Sequence, residues 1–411
     1  RDQEICLAEV LRDNGYRTAA IGKMHFTTQF VPKENEEDDW PEDRYGFDIV
    51  HTTCDCKTGE YLTWLKEKSE KDYEIVKMQG ERKAKEDRAS AADKDLSGPP
   101  QVYPSEINPR YHQSAWIADR MIDIINESTP DQPFFALCSF VDPHHPFDPP
   151  APYSTMYDPD KLALPVRQEG ELEDKPPHFR RHRVGQGCSN EKYDYRRLTD
   201  HEWGEVKAAY YGMITLIDDN IGRILQALRD KGITDDTLIV FTNDHGELMG
   251  DHGLLFKGPF HYDCLIKAPM ILSWPGVIPK GSRYKQITEH VDLMPTLLDF
   301  AGVRAPYGVQ GMSMAPILRG DSGAGREYAL TEFTCYDWGL NVKTITGRHY
   351  KLTYYAGETF GELYDRDKDP DEFRNLWDDP DYADIKQQLL RRLLDRVIET
   401  EDTLPLRIGK Y

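Results

Sequence analysis

The stretch TLIVFTNDHGELMGDHGLLFK, residues 237–257, decides how this chain is expected to fold. It opens with the apolar run 238–241, which is typical of a short strand buried on both faces. Asp244 and His245 follow at once and offer an oxygen and a nitrogen donor to a divalent cation. Lys257 closes the stretch with a compact positive charge suited to an anion. A plain strand, a polar turn and a solvated lysine would produce the same pattern, so the stretch alone leaves both interpretations open.

The composition excludes several kinds of partner. With 411 residues, the chain is long enough for one large domain and a smaller one. Lys and Arg number 51 against 72 Asp and Glu, and the net charge of −21 argues against nucleic acid or an anionic membrane surface as the main partner. No apolar run approaches the roughly 20 residues of a transmembrane helix. The seven cysteines show neither a disulfide framework nor zinc-site spacing.

Three predicted strands each end abruptly in ionisable side chains. In open α/β sheets, the groups that carry out chemistry collect beyond the carboxyl ends of the strands. We therefore expect these side chains to converge on one pocket that neutralises an oxyanion and protonates a leaving group. The pairs are Lys23 and His25 after residues 16–21, His144 and His145 after residues 134–141, and Asp244 and His245 after residues 238–241.

A long helix and the strand after it indicate the type of sheet. Thr199 and Glu202 match a capping box, and the apolar spacing that follows predicts a helix ended by Gly232. Because this helix leads directly into the strand at 238, the pair forms one helix–strand unit of a doubly wound, mixed and mostly parallel sheet.

Two polar segments are predicted to lie at the surface. Residues 31–95 are strongly acidic and are expected to form a solvated insertion with surface helices. Residues 149–187 are rich in Pro, Arg and His and predict a long surface loop. The basic cluster 180–183 within that loop either lines a substrate entrance or is simply solvated.

The pattern changes near Arg326. Residues 328–333, 342–346 and 350–355 predict short antiparallel strands, and residues 382–399 predict a helix that packs on them. We therefore expect a large α/β domain over residues 1–325 and a small α+β subdomain with an antiparallel sheet over residues 326–411.

Six motifs in order carry a resemblance that covers most of the chain. At these residues the sequence resembles the formylglycine-dependent sulfatases of the alkaline-phosphatase-like superfamily, which implies the α/β fold of that superfamily. The motifs are LAEVLRDNGYRTAAIGKMH (7–25), DPHHPF (142–147), TNDHG (242–246), KAPMILSWPG (267–276), HVDLMPTLLDFAG (290–302) and ELYDRDKDPDE (362–372).

The resemblance implies a metal site and an anion site. Asp244 and His245 would form half of a Ca²⁺ site, although Mn²⁺ or another divalent cation would also suit them; many sulfatases have Asn where this chain has His245. Lys23 and Lys257 would hold the sulfate oxygens.

The resemblance also implies roles for three histidines. His25 would contact the hydroxyl of the nucleophile. His144, by its H-x-P spacing, would protonate the departing oxygen. His145 would be a neighbour that contacts the substrate or a residue of the turn.

The sequence departs from the family pattern at the nucleophile. No Cys or Ser stands in the C/S-x-P-x-R motif from which formylglycine is made, and the Asp-Asp pair that completes the metal site is missing. Both normally precede the helix with which this chain begins, so we expect a truncated N-terminus and an inactive fragment. The family favours a periplasmic or extracellular location, with a cytoplasmic one also open; the oligomeric state is not predicted.

Three functions are compatible with these residues. Hydrolysis of a small-molecule or carbohydrate sulfate ester is favoured, because one cation and two lysines match the single charge of a sulfate ester. A phosphonate or phosphate ester hydrolase of the same superfamily is the nearest alternative. A non-catalytic relative that binds sulfated carbohydrate is the third.

Overall fold

The computed structural model describes residues 5–24, 44–55, 57, 59–88, 98–187, 193–321, 325–335 and 338–401. His25 and residues 31–43, the first part of the predicted acidic insertion, therefore lie outside the described residues. The chain divides into two compact units, one of residues 1–164 and 197–237 and the other of residues 165–196 and 238–411. The predicted domain boundary at residue 325 stays a prediction.

Helices and strands alternate through most of the described chain before four strands follow one another near the end. In chain order they are α1 (Leu7–Asp13), β1 (Arg17–Gly22), β2 (Ile49–Thr52), α2 (Glu60–Lys68), α3 (Glu70–Arg88), α4 (Gln113–Glu127), β3 (Phe134–Ser139), α5 (Pro177–Arg183), α6 (Asp200–Lys231), β4 (Ile239–Thr242), α7 (Asp263–Ile266), β5 (Met270–Ser273), α8 (Leu293–Phe300), α9 (Ala315–Leu318), β6 (Ala329–Cys335), β7 (Leu340–Thr346), β8 (Tyr350–Tyr355), β9 (Gly361–Asp365) and α10 (Ala383–Glu399).

The first unit is built on a parallel sheet in the order β2-β1-β3. Its central strand β1 is almost fully buried. Gly22 ends this strand opposite Ser139, and a Cβ atom on Gly22 would lie 1.8 Å from the Ser139 carbonyl oxygen. Glycine is therefore required where the two strands end side by side.

Helices cover this sheet with apolar faces. The predicted capping box of α6 is confirmed, with Thr199 and Glu202 satisfying each other's backbone N–H groups, and Gly232 ends the helix in the left-handed conformation. Helix α2, which was predicted as part of a solvated insertion, buries Tyr61 and Leu65 completely. Its charged residues are exposed, so this helix is amphipathic and packed.

In the second unit, β4 pairs with β5 in the antiparallel direction, with Ile239 opposite Ser273 and Thr242 opposite Met270. The mixed α/β fold class is confirmed. The predicted membership of β4 in one sheet with β1 and β3, which belong to the first unit, stays a prediction. An isolated apolar run indicates a strand but not its partner.

The predicted antiparallel C-terminal sheet is confirmed and has the order β6-β7-β8-β9. Helix α10 packs on it through Leu389 and Leu393. Strand β9 was missed because it carries Glu362, a charged residue that is rarely buried. Here the Glu362 carboxylate accepts hydrogen bonds from the hydroxyls of Tyr355 at 2.6 Å and Tyr364 at 2.5 Å, so it is buried with partners.

The predicted surface loop over residues 149–187 was wrong in its second half. Helix α5 buries Phe179 and His182, and the Nε2 atom of His182 lies 2.9 Å from the carbonyl oxygen of Leu255. Arg180 donates to the carbonyl oxygen of Leu172 at 2.9 Å. The segment is polar in sequence, but these two side chains hydrogen-bond to backbone carbonyls as the segment packs.

Candidate functional site

Lys23 and the loop that carries His144 follow adjacent parallel strands of the first unit. The backbone N–H of Lys23 donates to the carbonyl oxygen of Ser139 at 3.0 Å, which joins the end of β1 to the end of β3. Because both strands run in the same direction, their carboxyl ends meet at the same edge of the sheet. Lys23 and His144 are therefore placed at one edge, as the sequence predicted for these two residues.

The loop 142–148 presents two stacked, half-buried histidines. The Nδ1 atom of His144 lies 2.6 Å from the carbonyl oxygen of His145, so Nδ1 carries the hydrogen. This contact fixes the tautomer and leaves Nε2 of His144 as the nitrogen that exchanges a proton. The backbone N–H of His144 donates to Val141 at 3.1 Å, which makes the turn after β3.

Asp244 and His245 lie just after β4 in the second unit. Oδ1 of Asp244 accepts the backbone N–H of His245 at 2.9 Å, and its Oδ2 lies 3.5 Å from Nε2 of His245. Nδ1 of His245 donates to the carbonyl oxygen of Gly246 at 2.7 Å, so Nε2 has a lone pair directed beside the carboxylate. Two such donors 3.5 Å apart fit one divalent cation.

The charge on Asp244 suits that purpose. Desolvation opposes ionisation, but favourable electrostatic interactions with His245 and Lys257 and the backbone N–H of His245 outweigh it, so the pKa of Asp244 lies below its usual range. Asp244 is therefore an ionised, hard oxygen donor at neutral pH. Because Lys257 contributes to the lower pKa of Asp244, its charge interacts with the predicted metal pair.

A tight backbone turn joins the metal pair to Lys257. A Cβ atom on Gly246 would lie 1.8 Å from the carbonyl oxygen of Cys264, so only glycine allows this approach. The backbone N–H of Leu248 then donates to Phe256 at 3.2 Å and closes the hairpin-like loop. Lys257 follows Phe256 and is half-buried.

Glu247 is an ionisable residue of this loop that the sequence reasoning did not single out. Its carboxylate accepts the backbone N–H of Leu248 at 3.0 Å. Burial raises the pKa of Glu247 to about 7, although the charge of Lys257 works in the opposite direction. The only indication in the sequence that Glu247 belongs to the candidate site was its position between the Asp-His pair and Lys257.

A second group of ionisable residues lies beneath the histidine loop in the first unit. His112, Asp142 and Asp148 are buried, and their donor atoms lie within 4.8 Å of one another. The ammonium group of Lys57 is hydrogen-bonded to the Asp148 carboxylate. One indication of this group is visible in the sequence, because Asp142 and Asp148 flank the predicted histidine motif.

The predicted site residues are thus distributed over both units. Lys23, His144 and His145 belong to the first unit, and Asp244, His245 and Lys257 belong to the second. Convergence of all of them on one pocket stays a prediction, as do their individual roles. No helix of the described residues is long and apolar enough to cross a membrane.

Comparison with known families identifies the class of protein. The family profile described as "Sulfatase" matches residues 1–303, and the profile described as "N-sulphoglucosamine sulphohydrolase, C-terminal" matches residues 250–399. The chain therefore belongs to the sulfatase family, whose named members are sulfuric ester hydrolases.

Individual relatives agree with this assignment. An arylsulfatase of Clostridium perfringens is 28% identical over 408 residues, which cover 96% of this chain and 78% of that protein. An N-acetylglucosamine-6-O-sulfatase of Bacteroides thetaiotaomicron is 29% identical over 51% of this chain and 39% of its own length. The crystal structure of a phosphonate monoester hydrolase of Agrobacterium radiobacter has a TM-score of 0.75 and 27% identity, and covers 96% of this chain and 80% of that one.

Proposed function

We propose that the protein hydrolyses a sulfate ester by transfer of the sulfuryl group to a formylglycine hydrate, with a divalent cation, two lysines and a histidine acid. The observation that carries this proposal is the placement of Lys23 and His144 at the ends of the adjacent parallel strands β1 and β3. An anion-binding cation and a proton donor at one sheet edge are two of the groups on which cleavage of a sulfate ester depends.

His144 supplies the proton in this proposal. Its Nδ1 donates to the His145 carbonyl oxygen, so a proton held on Nε2 is the one available to a departing oxygen. Alkyl and sugar alkoxides are poor leaving groups and need this proton as the ester bond breaks. His145 contacts the substrate or supports the turn.

Lys23 and Lys257 hold the non-bridging sulfate oxygens. An ammonium group is a compact charge with three donors, which suits a tetrahedral anion. During the reaction, negative charge shifts onto the non-bridging sulfate oxygens and the leaving oxygen. The contacts that the lysines make therefore strengthen in the transition state. His25, which lies outside the described residues, is assigned to the hydroxyl of the nucleophile.

Asp244 and His245 would hold the divalent cation, and Ca²⁺ is favoured over Mn²⁺ or another ion. When bound, such a cation polarises a sulfate oxygen and orients the nucleophile. The ionised Asp244 and the lone pair on His245 Nε2 support this assignment.

A phosphonate monoester hydrolase is the second candidate. It is favoured by the 27% identity and the TM-score of 0.75 to the hydrolase of Agrobacterium radiobacter. A phosphonate monoester carries one negative charge, like a sulfate ester, so the lysines do not discriminate between the two.

One assay separates these functions. The complete protein, produced with the formylglycine-generating enzyme, is tested on 4-nitrophenyl sulfate, a sugar 6-sulfate and a phenylphosphonate ester. The proposal expects kcat/KM to be larger for the sulfates. A larger kcat/KM for the phosphonate would favour the second candidate. Binding of the sugar sulfate without turnover would favour a non-catalytic carbohydrate-binding role.

A further inference from the structure

The loop that carries His144 begins and ends with a buried carboxylate. Asp142 is 7% exposed and Asp148 is 2% exposed, although Asp is rarely buried without a strong partner. Between them the loop contains Pro143 and Pro146, which have no N–H to donate. These two positions cannot donate backbone hydrogen bonds, and the carboxylates at the two ends of the loop provide further anchors.

The first anchor joins Asp142 to the start of helix α4. Ser114 donates its hydroxyl to the Asp142 carboxylate, and the backbone N–H of Ser114 donates to Nδ1 of His112 at 3.2 Å. Burial, and then the charge of Lys57, lower the pKa of His112 to about 3, so this imidazole is neutral. A helix N-terminus also favours the negative charge of Asp142.

The second anchor joins Asp148 to Lys57. The Lys57 side chain is 9% exposed and the Asp148 side chain 2%, so this ion pair is buried. Burial raises the pKa of Asp148, and the Lys57 charge opposes that rise. The adjoining residue, Phe147, donates its backbone N–H to the carbonyl oxygen of Gln101 at 2.7 Å, which also holds this end of the loop in place.

Lys57 is the cation of this cluster. Its ammonium already contacts Asp148. Burial raises the pKa of Asp142, and the Lys57 charge opposes that rise. The same charge adds to the effect of burial in lowering the pKa of His112. A metal ion among His112, Asp142 and Asp148 would have to lie close to that ammonium and would be repelled by it. The three donors therefore form an ion-pair network around a lysine.

We infer that Lys57 and Asp148 are positioning residues that hold His144 in the geometry needed for proton donation. The inference rests on the proposed function of His144. The ion pair secures the end of the loop that follows the histidines, while Asp142 and Ser114 secure the end that precedes them. If Lys57 loses its charge, a carboxylate is left buried without its partner, and the loop is expected to shift to relieve that cost.

The test uses the complete, formylglycine-bearing protein and the variant Lys57→Met, which keeps an unbranched side chain one atom shorter and removes the charge. We expect kcat on an alkyl or sugar sulfate to fall by about 10- to 100-fold, with a much smaller fall on 4-nitrophenyl sulfate and little change in KM. The double variant Lys57→Met/Asp148→Asn should be no slower than Lys57→Met alone, because the two residues act as one unit.

Thr18→Val is the matched control. Thr18 is fully buried in the same unit, and its hydroxyl donates to Gly46 at 2.7 Å, away from the histidine loop. This variant should lower Tm and reduce activity equally on both substrates, if at all. If Lys57→Met gives the same equal losses as Thr18→Val, Lys57 is merely structural and the inference is overturned.

Two further results separate this inference from the proposed function. His144→Ala must itself lose more activity on the poor leaving group; equal losses on both substrates would refute the acid role on which the inference rests. The metal content of the wild-type protein and of Asp148→Asn is measured as well. A metal equivalent that Asp148→Asn removes would overturn the assignment of Lys57 as the cation of the cluster.

Discussion

The imidazole rings of His144 and His145 are stacked, with centroids 4.2 Å apart and planes inclined by 24°. Two positive charges at this separation repel each other, so the stacked geometry opposes double charging of the pair. The contact between His144 Nδ1 and the His145 carbonyl oxygen leaves Nε2 of His144 as the site of proton exchange. The stack therefore suits one acid and one neutral neighbour.

Replacement of His144 by Ala should depend on the leaving group. An alkoxide needs the proton that His144 gives, whereas a nitrophenolate scarcely does. In the complete protein we expect a loss in kcat on the order of 10²–10⁴ for a sugar or alkyl sulfate and a loss of less than about tenfold for 4-nitrophenyl sulfate. Steady-state kinetics on both substrates measure the difference, and absence of any loss would show that His144 is only a turn residue.

His145 should tolerate an aromatic replacement better than a small one. His145→Phe retains a ring that stacks on His144, while His145→Ala removes it. We expect His145→Phe to keep kcat within about threefold and His145→Ala to lower it by roughly tenfold, because the loop loses packing. Kinetics on one sugar sulfate decide this. A loss with Phe as large as that with Ala would instead indicate that the His145 imidazole contacts the substrate.

Lys257→Ala should remove a contact that strengthens in the transition state. Loss of one such contact costs on the order of 10²–10³ in kcat. Lys280→Ala, a change of an exposed lysine in the same unit, serves as the control for net charge and should have no effect. An unchanged turnover number in Lys257→Ala would contradict its role in sulfate binding.

Metal binding should depend on Asp244 and His245. In Asp244→Asn and His245→Ala, we expect the metal content of the complete protein to fall below half of the wild-type value. The increase in Tm that added cation gives should disappear with it. Elemental analysis identifies the ion and decides between Ca²⁺ and Mn²⁺. Asp236→Asn, at an exposed position before β4, is the matched control and should retain the metal.

Stability should fall in mild acid because of buried neutral histidines in the second unit. Burial lowers the pKa of His178 to about 3 from the ordinary 6.5, and burial lowers those of His182 and His261 to about 4 and about 3. Between these pKa values and 6.5, the histidines are protonated in the unfolded chain but neutral in the folded chain. Their contribution to the free energy of unfolding is therefore complete above pH 6.5 and declines as the pH falls towards 3.

His178→Phe isolates one of these contributions. His178 stacks on Phe260 with centroids 5.6 Å apart, so a phenyl ring retains much of the packing. Between pH 7 and pH 5, the wild-type free energy of unfolding should fall by about 2 kcal/mol more than that of the variant. Urea unfolding at the two pH values measures this difference. An equal fall in both proteins would show that His178 is not held neutral in the folded state.

The sequence by itself determined the elements and the chemical types of the site. Apolar runs identified β1 and β3, and apolar periodicity with the Thr199–Glu202 capping box identified α6. These signals can be recognised in the sequence because they depend only on residues that are near one another in the chain. Ionisable residues directly after apolar runs identified Lys23, His144 and Asp244 as candidates for the same reason.

Only the tertiary structure decided which distant groups meet. The antiparallel partner of β4, the burial of Glu362 in β9 and the packing of α5 depend on residues far away in the chain. Lys57 and Asp148 are 91 residues apart and read in sequence as ordinary surface charges. Their burial follows from partners that the fold brings to them, because a charge is stable in a protein interior only where its counter-charge lies beside it.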